Sequence, residues 1–191
     1  MEEVEDNLME KFFLERDAAI LIVVDIQERL ADVMGEKHKV VANTLHLIEA
    51  AKLLSIPVML TEQYPKGLGR TVSEVRNALP SHEAIEKIAF GCCGEPRFQN
   101  TLVSFGRRKV IVCGMETHVC VLQTCLGLLR DSYFVHVVTD AVCSRTKENH
   151  QTGIEFMRDA GAAITGTETV LFQLLEKAGT EEFRAISKRI K

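Results

Sequence analysis

The chain has 191 residues, of which 46% are hydrophobic and 26% charged, a composition typical of one globular domain with a sizeable core. A formal net charge of −4 and a pI near 5.9 provide no electropositive surface, which argues against a nucleic-acid partner. No apolar run approaches the roughly 18 residues of a membrane span. Residues 1–17 are acidic where a signal peptide would be basic. The sequence therefore predicts a cytoplasmic protein with no membrane partner.

Strand-like apolar runs alternate with amphipathic helical patterns along the chain. The predicted strands are 18–25, 56–60, 84–88, 109–113, 134–139 and 162–165, and the predicted helices are 37–54, 96–105, 117–130, 147–160, 168–177 and 182–189. Residues 61–70 are predicted as a loop rich in proline and glycine. This alternation indicates a doubly wound α/β fold, a parallel sheet with helices on both faces.

The chain has no repeat, low-complexity tract or linker that would divide it. We therefore expect a single domain over residues 1–191. Its core is expected at about 18–177, with an acidic N-terminal extension at 1–17 and a C-terminal helix at about 180–191.

The six cysteines are expected to be free thiols because the cytosol keeps cysteines reduced. There is no C-x-x-C pair, and the six histidines do not repeat at a ligand-like spacing. The sequence therefore predicts neither a metal site nor a cofactor.

Three reactive side chains lie at the ends of predicted strands. In doubly wound sheets the ligand binds beyond the carboxyl ends of the strands, and Asp25, Lys87 and Cys120 each lie at or just after such an end. Each has an ordinary structural alternative: a helix cap, a solvated lysine and a buried core cysteine. Taken together, they are expected to meet in one crevice as a candidate catalytic site.

Cys120 follows an apolar strand, a glycine and a short polar turn, an order similar to a nucleophile elbow. Thr117 is predicted as the N-cap of the next helix, which would place Cys120 beside the free N–H groups of the first turn. The positive end of the helix dipole would then favour the thiolate.

These residues make the chain similar to the isochorismatase-like cysteine hydrolases, a family that includes nicotinamidases and carbamoyl-amide hydrolases. The similarity covers about residues 18–177. It rests on VVDIQ with Asp25 and Gln27, on K-x-x-F with Lys87 and Phe90, and on G-x-x-T-x-x-C-V with Gly114, Thr117, Cys120 and Val121. The segment TEQYPKGLG at 61–69 most resembles the isochorismatase domain-containing proteins. The resemblance implies a three-layer α/β/α, Rossmann-like fold with a six-stranded parallel sheet.

The resemblance also implies a mechanism. Cys120 would attack a small amide or a related carbonyl C–N bond and form a thioester, with Asp25 taking the thiol proton and Lys87 favouring the charged forms. Backbone N–H groups of Glu116 and Cys120 would form the oxyanion hole. In the family this arrangement depends on a cis peptide bond, which would fall between Met115 and Glu116.

Two departures from the family pattern reduce the number of activities expected for this chain. Nicotinamidases carry an Asp/His/His metal site after the second strand, whereas residues 61–65 here contain no histidine. Glu62 alone is expected to be solvated or paired, so we expect a site without metal. Members that cleave the vinyl ether of isochorismate typically have a small residue in place of the nucleophile, so Cys120 argues against that reaction.

Further residues are candidates for binding a small-molecule substrate. They are Gln27, Tyr64, Phe90 and His118 for the pocket, Arg70, Arg97 and Arg145 for an acidic substrate, and Cys92 and Cys93 as possible lining residues. His118 is ranked below Asp25 as a base because side chains two positions apart on a helix do not face each other. Gln27, Tyr64, Phe90, Cys92 and Cys93 each have ordinary packing or capping as an alternative.

The competing class of protein keeps the fold but acts only through interactions. Apolar residues at 119, 121, 122, 125, 126, 128 and 129 make the 117–130 helix apolar nearly all round. Such a helix is buried by more than its own sheet, which predicts a homo-oligomer, a dimer or larger. An intact candidate triad favours catalysis over the interaction-only alternative.

Overall fold

Strand β1 (Ala19–Val24) is buried along its whole length at the centre of the sheet, as its unbroken apolar sequence predicts. The computed structural model describes residues 9–190, so part of the predicted extension, 1–8, lies outside the described residues. The other strands are β2 (Val58–Gln63), β3 (Ile85–Lys87), β4 (Lys109–Met115), β5 (Phe134–Cys143) and β6 (Ala163–Thr165). All pairs are parallel, in the order β3-β2-β1-β4-β5-β6. The predicted six-stranded parallel sheet is confirmed.

Helices cover both faces of this sheet. They are α1 (Glu28–Ala31), α2 (Lys37–Leu53), α3 (Pro65–Leu68), α4 (Ser73–Ala78), α5 (Pro96–Ser104), α6 (Leu122–Arg130), α7 (Lys147–Asp159), α8 (Thr167–Leu175) and α9 (Glu181–Arg189). Alternate residues of β1 contribute to two separate apolar clusters, Leu21 and Val23 to one and Ile20 and Ile22 to the other. The predicted three-layer α/β/α class is therefore also confirmed.

The chain outside the central 18–177 stretch contributes to the core as well. Leu14 and Ile186 are both buried in the cluster beneath α2 and α8. The backbone N–H of Leu14 also donates to the side chain of Gln173. These contacts join both flanking segments to the same domain. Among the described helices, none is long and apolar enough to cross a membrane.

The prediction of a loop over 61–70 is wrong for its first three residues. Strand β2 continues to Gln63, because Thr61 and Gln63 pair in parallel register with Ile85 and Lys87 of β3. The polar sequence suggests a loop, whereas pairing with a strand more than twenty residues away makes it a strand. The following residues form the short helix α3 within the predicted loop.

The end of β4 approaches β1 more closely than any side chain would allow. Gly114 has φ 131°, and a Cβ at this position would lie 2.0 Å from the carbonyl oxygen of Val24. Only glycine fits there without strain. The close approach brings the segment after β4 next to Asp25, which directly follows β1. Strand order reverses between β1 and β4, which is the expected ligand position in such a sheet.

Candidate active site

The side chains of Asp25 and Lys87 form a buried ion pair at the carboxyl edge of the sheet. Lys87 Nζ lies 2.6 Å from Asp25 Oδ2, and neither side chain is exposed to solvent. Burial is the largest single effect and lowers the pKa of Lys87, but electrostatic interactions with Asp25, Cys92 and Cys120 and the hydrogen bond to Asp25 together raise the pKa overall. The lysine is therefore a charged ammonium at neutral pH.

Other oxygen atoms complete the surroundings of the Lys87 ammonium. It donates to Gln63 Oε1 at 2.8 Å and to the carbonyl oxygen of Phe90 at 2.8 Å, with the carbonyl of Ala89 farther away at 3.4 Å. An ammonium has three N–H donors, and Asp25, Gln63 and Phe90 use all three. Gln63 was not among the residues predicted from sequence.

The second carboxylate oxygen of Asp25 also has a partner. Thr61 Oγ1 donates to Asp25 Oδ1 at 2.7 Å, and Thr61 is fully buried. Asp25 itself has a left-handed backbone, with φ 51°, immediately after β1. Both carboxylate oxygens are thus held by donors on neighbouring strands. Thr61 was also missed from sequence, because it falls in the stretch predicted as a loop.

Cys120 lies beside this pair and is 5% exposed. Burial, followed by the negative charge of Asp25, raises the pKa of the Cys120 thiol, while the positive charge of Lys87 acts in the opposite direction. The expectation that the helix end favours a resting thiolate is therefore wrong. Burial and the charge of Asp25 favour the protonated thiol of Cys120.

The turn that carries Cys120 also differs from the predicted helix. Residues Thr117–Val121 form a π-helical turn, and α6 begins only at Leu122. Glu116, not Thr117, is the N-cap residue; the Thr117 hydroxyl is hydrogen-bonded to His150 Nδ1 at 3.0 Å. The predicted N-cap is therefore wrong, whereas the predicted helical stretch over 117–130 is present, with a π-helical first turn that continues directly into α6.

The π-helical turn changes which backbone N–H groups are bonded. The carbonyl oxygen of Glu116 accepts from the N–H groups of Val119 and Val121. Among the described residues, the N–H group of Glu116, which lies outside the helices and strands, has no hydrogen-bond acceptor. The peptide bond between Met115 and Glu116 is cis, at the position that the resemblance implies.

The side chain of Glu116 is turned away from these N–H groups and is held by Arg145. Glu116 Oε2 accepts from the backbone N–H of Arg145 at 3.0 Å and from its Nε at 3.1 Å. Of the three arginines considered for substrate binding, Arg145 is thus the one bonded to the residue that precedes the Cys120 turn. Arg97 is paired with Glu83 at 2.6 Å on the surface.

Glu62 and Arg70 form a separate pair on the opposite face of β2. Arg70 Nη1 lies 3.0 Å from Glu62 Oε2 and 2.8 Å from Glu86 Oε1. The remaining Glu62 oxygen accepts from both the N–H and the hydroxyl of Thr71 at 2.7 Å. Glu62 is therefore buried and paired. Among residues 9–190, no three His, Cys, Asp or Glu side chains are grouped so that they could hold a metal ion.

The four predicted pocket residues occupy different environments. Gln27 is buried beside the end of β2. Its side-chain Nε2 donates to the carbonyl oxygen of Gln63, and its Oε1 accepts from the backbone N–H of Gln63. The side chains of Tyr64 and Phe90 are half-exposed and lie near Lys87, the last residue of β3. His118 is engaged by Ser144, with its Nδ1 2.9 Å from the Ser144 hydroxyl.

A second thiol lies against the ion pair. Cys92 is fully buried, its Sγ is 3.8 Å from Thr61 Oγ1, and its backbone N–H donates to Thr124 Oγ1 on α6. Burial and then the charge of Asp25 raise the pKa of Cys92 to about 12. Cys93 is instead half-buried and packs closely against Gly127.

The strand order, with the Asp25–Lys87 pair at its switch point, defines a doubly wound, three-layer α/β/α fold. The family model for the isochorismatase domain matches residues 19–169. The chain belongs to the isochorismatase domain family, an assignment that supports a hydrolase.

Named relatives agree with this assignment. A secreted isochorismatase effector, Isc1, from Phytophthora sojae is 42% identical over 178 residues, covering 91% of this chain and 85% of the relative. Human isochorismatase domain-containing protein 2 is 35% identical over 176 residues, covering 91% and 83%. Among solved structures, a MAR1 ribonuclease from Caenorhabditis elegans is 36% identical with a TM-score of 0.88, covering 93% of this chain and 92% of that one. The predicted resemblance is confirmed.

Proposed function

We propose that the protein is a cysteine hydrolase that cleaves a small amide, or a related carbonyl C–N bond, through a thioester on Cys120. The observation that carries the proposal is the position of Asp25. Its carboxylate is 2.6 Å from the Lys87 ammonium and close enough to Cys120 for its charge to raise the pKa of that thiol. A thiol that rests protonated beside a fixed carboxylate has its general base in place.

In the acylation step, Asp25 takes the proton from Cys120 as the sulfur attacks the carbonyl carbon. The C–S bond forms and the carbonyl oxygen gains negative charge. When the tetrahedral intermediate collapses, the C–N bond breaks and Asp25 returns the proton to the leaving nitrogen. The products of this step are a free amine and a thioester on Cys120.

The oxyanion needs donors that are fixed before the reaction. The N–H groups of Glu116 and Cys120 fit this role because both belong to the segment that carries the Cys120 thiol, and the N–H of Glu116 has no acceptor among the described residues. Arg145 supports the same turn by holding the Glu116 carboxylate away from those donors. The predicted oxyanion-hole role of these two N–H groups is therefore part of the proposal.

In the deacylation step, water attacks the thioester carbonyl while Asp25 takes its proton. The C–S bond breaks, the acid product leaves, and Cys120 recovers the proton as a thiol. Lys87 remains an ammonium throughout, because the buried carboxylate of Asp25 and two neutral oxygen atoms, from Gln63 and Phe90, stabilise its charge. Its role is electrostatic: its positive charge compensates the negative charge of Asp25, where neither side chain is exposed to solvent.

Assembly and location extend the proposal. On α6 and the preceding turn, Val119, Leu122, Leu126 and Leu129 form a stripe that is only partly buried within this chain. We propose that a second copy covers this stripe.

The six free cysteines support a reducing compartment such as the cytoplasm, although one relative is named a secreted effector.

The test is an activity screen of small amides, ureido acids and thioesters with purified protein. Cys120→Ala should lose all turnover, since it lacks the nucleophile, whereas Cys93→Ala should keep it. Cys93 is the matched control because its side chain packs on Gly127, away from the ion pair. An RNA substrate belongs in the screen because one relative is named a ribonuclease. Turnover that survives in Cys120→Ala contradicts the proposal, and no turnover at all would favour the interaction-only alternative.

A further inference from the structure

Strand β2 ends in two polar residues that point to the same side of the sheet. Side chains alternate along a strand, so Thr61 and Gln63 share one face and Glu62 lies on the other. Thr61 donates to Asp25 Oδ1 at 2.7 Å, and Gln63 Oε1 accepts from Lys87 Nζ at 2.8 Å. Each of the two residues therefore contacts one partner of the ion pair.

Gln63 is itself fixed in position. Its Nε2 donates to the carbonyl of Ile88 at 2.8 Å, and its backbone N–H donates to Gln27 Oε1 at 2.7 Å. Because an ammonium only donates, the amide oxygen of Gln63 must face Lys87. The bond to Ile88 uses the NH₂ group and leaves the oxygen free for that purpose. The side chain thus cannot turn over without losing both contacts.

Because its three N–H donors are occupied, Lys87 has none left for the thiol or a substrate. Its influence on Cys120 is therefore exerted through charge and through Asp25. The titratable groups that face the pair are Cys120 and Cys92, and both are thiols with raised pKa values. Residues that stabilise the charged forms of Asp25 and Lys87 therefore affect the pH range in which Cys120 can react.

We infer that Thr61 and Gln63 are positioning residues that hold the Asp25–Lys87 pair ionised and set, from opposite ends, the pH range in which Cys120 reacts. The inference rests on the proposed function, in which Asp25 is the base for Cys120. Neither residue touches the sulfur in this scheme. They act through the two charged side chains.

Replacing Thr61 with Val removes a hydroxyl that donates to a carboxylate. A hydrogen bond to the charged form favours that form, so Thr61→Val makes the charged carboxylate of Asp25 less favourable. As the pH is lowered, the alkylation rate of Cys120 should then decrease earlier than in the wild type, with the decrease shifted upward by on the order of one pH unit. Thr61→Ser keeps the hydroxyl and should restore the wild-type profile.

Replacing Gln63 with Leu removes an acceptor from the ammonium. The charged form of Lys87 loses a partner, so Lys87 loses its proton at a lower pH. Without that charge the Cys120 thiol is harder to ionise. The rate for Gln63→Leu relative to the wild type should therefore decrease toward alkaline pH, the opposite trend to Thr61→Val.

The experiment measures the rate at which iodoacetamide alkylates Cys120 over about pH 5 to 10, which requires no known substrate. Trypsin releases residues 110–130 as one peptide, and fragmentation of this peptide distinguishes Cys120 from Cys113 and Cys125. The last two are fully buried and act as internal references. Glu62→Gln is the matched control, a buried neighbour on the opposite face, and its pH profile should match the wild type.

Circular dichroism and thermal unfolding of each variant show whether it folds, and Thr61→Ala replaces Thr61→Val if the latter does not. Opposite pH trends for the Thr61 and Gln63 variants, with rescue by Thr61→Ser, are the expected result. A reduction by the same factor at every pH, or the same shift in Glu62→Gln, would overturn the inference while Cys120 remains reactive. A folded wild type whose Cys120 is not alkylated at any pH would contradict the proposed function, and this inference with it.

Discussion

Lys87 Nζ lies 2.6 Å from Asp25 Oδ2 in a place where neither side chain has exposed surface. Removing one partner of a buried pair leaves an uncompensated charge, which typically costs about 3–5 kcal/mol. We therefore expect Lys87→Met to lower the free energy of unfolding by about that amount. Urea denaturation near neutral pH measures it.

The double variant Asp25→Asn with Lys87→Met is the control for this prediction. It removes both charges, so no uncompensated charge remains and its stability should exceed that of Lys87→Met alone. Asp25→Asn alone gives the reference loss in the free energy of unfolding. If the double variant is less stable than Lys87→Met by that same amount, the effects of the two replacements add and the two side chains are energetically independent. That result would contradict the pairing.

His136 should make the protein sensitive to acid. Burial, followed by the charge of Lys109, lowers the pKa of His136 to about 4, whereas an unfolded histidine titrates near 6.5. Between these values the unfolded chain binds more protons, so stability decreases as pH falls from about 6.5 to about 4. The shift corresponds to a loss on the order of 3 kcal/mol.

The matching variants are His136→Gln and His38→Gln. His136→Gln cannot take up this proton, so its stability should depend less on pH between about 7 and 5 than that of the wild type. His38 is exposed, and its replacement should leave the dependence unchanged. Parallel pH dependences for the wild type and His136→Gln, from urea unfolding, would show that another group causes the acid sensitivity.

The half-buried stripe on α6 gives a prediction for assembly. We expect a dimer or larger oligomer at micromolar concentration by light scattering, and Leu126→Lys should dissociate it because a charge enters the apolar contact. Val103→Lys is the control, since Val103 is apolar and 68% exposed on another helix. A wild-type monomer, or equal effects of both replacements, would place the interface elsewhere.

The absence of histidine from 61–65 gives a prediction for metal content. Both oxygens of Glu62 are already used by Arg70 and Thr71. We expect elemental analysis to find no zinc, iron or manganese at one equivalent per chain, and a chelator to leave turnover unchanged. One equivalent of metal with chelator-sensitive turnover would revive the nicotinamidase hypothesis.

Much of the fold could be predicted because its strands have simple patterns. β1 and β4 are unbroken apolar runs, and the rule that ligands bind at strand carboxyl ends directs attention to Asp25 and Cys120. These signals are local in the sequence. The family motifs then add Lys87, whose own strand is only three residues long.

What sequence reasoning missed depends on long-range contacts. Thr61 and Gln63 look like loop residues, and only their pairing with β3 makes them a strand edge beside the ion pair. Cys92 was considered from sequence only as a possible lining residue, because its place beside the ion pair depends on a bond to Thr124, thirty-two residues away in the chain. The π-helical turn at Thr117–Val121 has no evident sequence signal, since threonine before an apolar run is the usual mark of an N-cap.

The most direct test of covalent catalysis is detection of an acyl group on Cys120. The protein is mixed with 4-nitrophenyl acetate and with any amide that the screen identifies, quenched within milliseconds to seconds, and analysed by intact and peptide mass spectrometry. We predict one acyl group per chain, located on Cys120, with a matching burst of nitrophenolate that is absent in Cys120→Ala and strongly slowed in Asp25→Asn. Turnover without an acyl group on Cys120, or an unchanged burst in Cys120→Ala, would contradict the thioester mechanism.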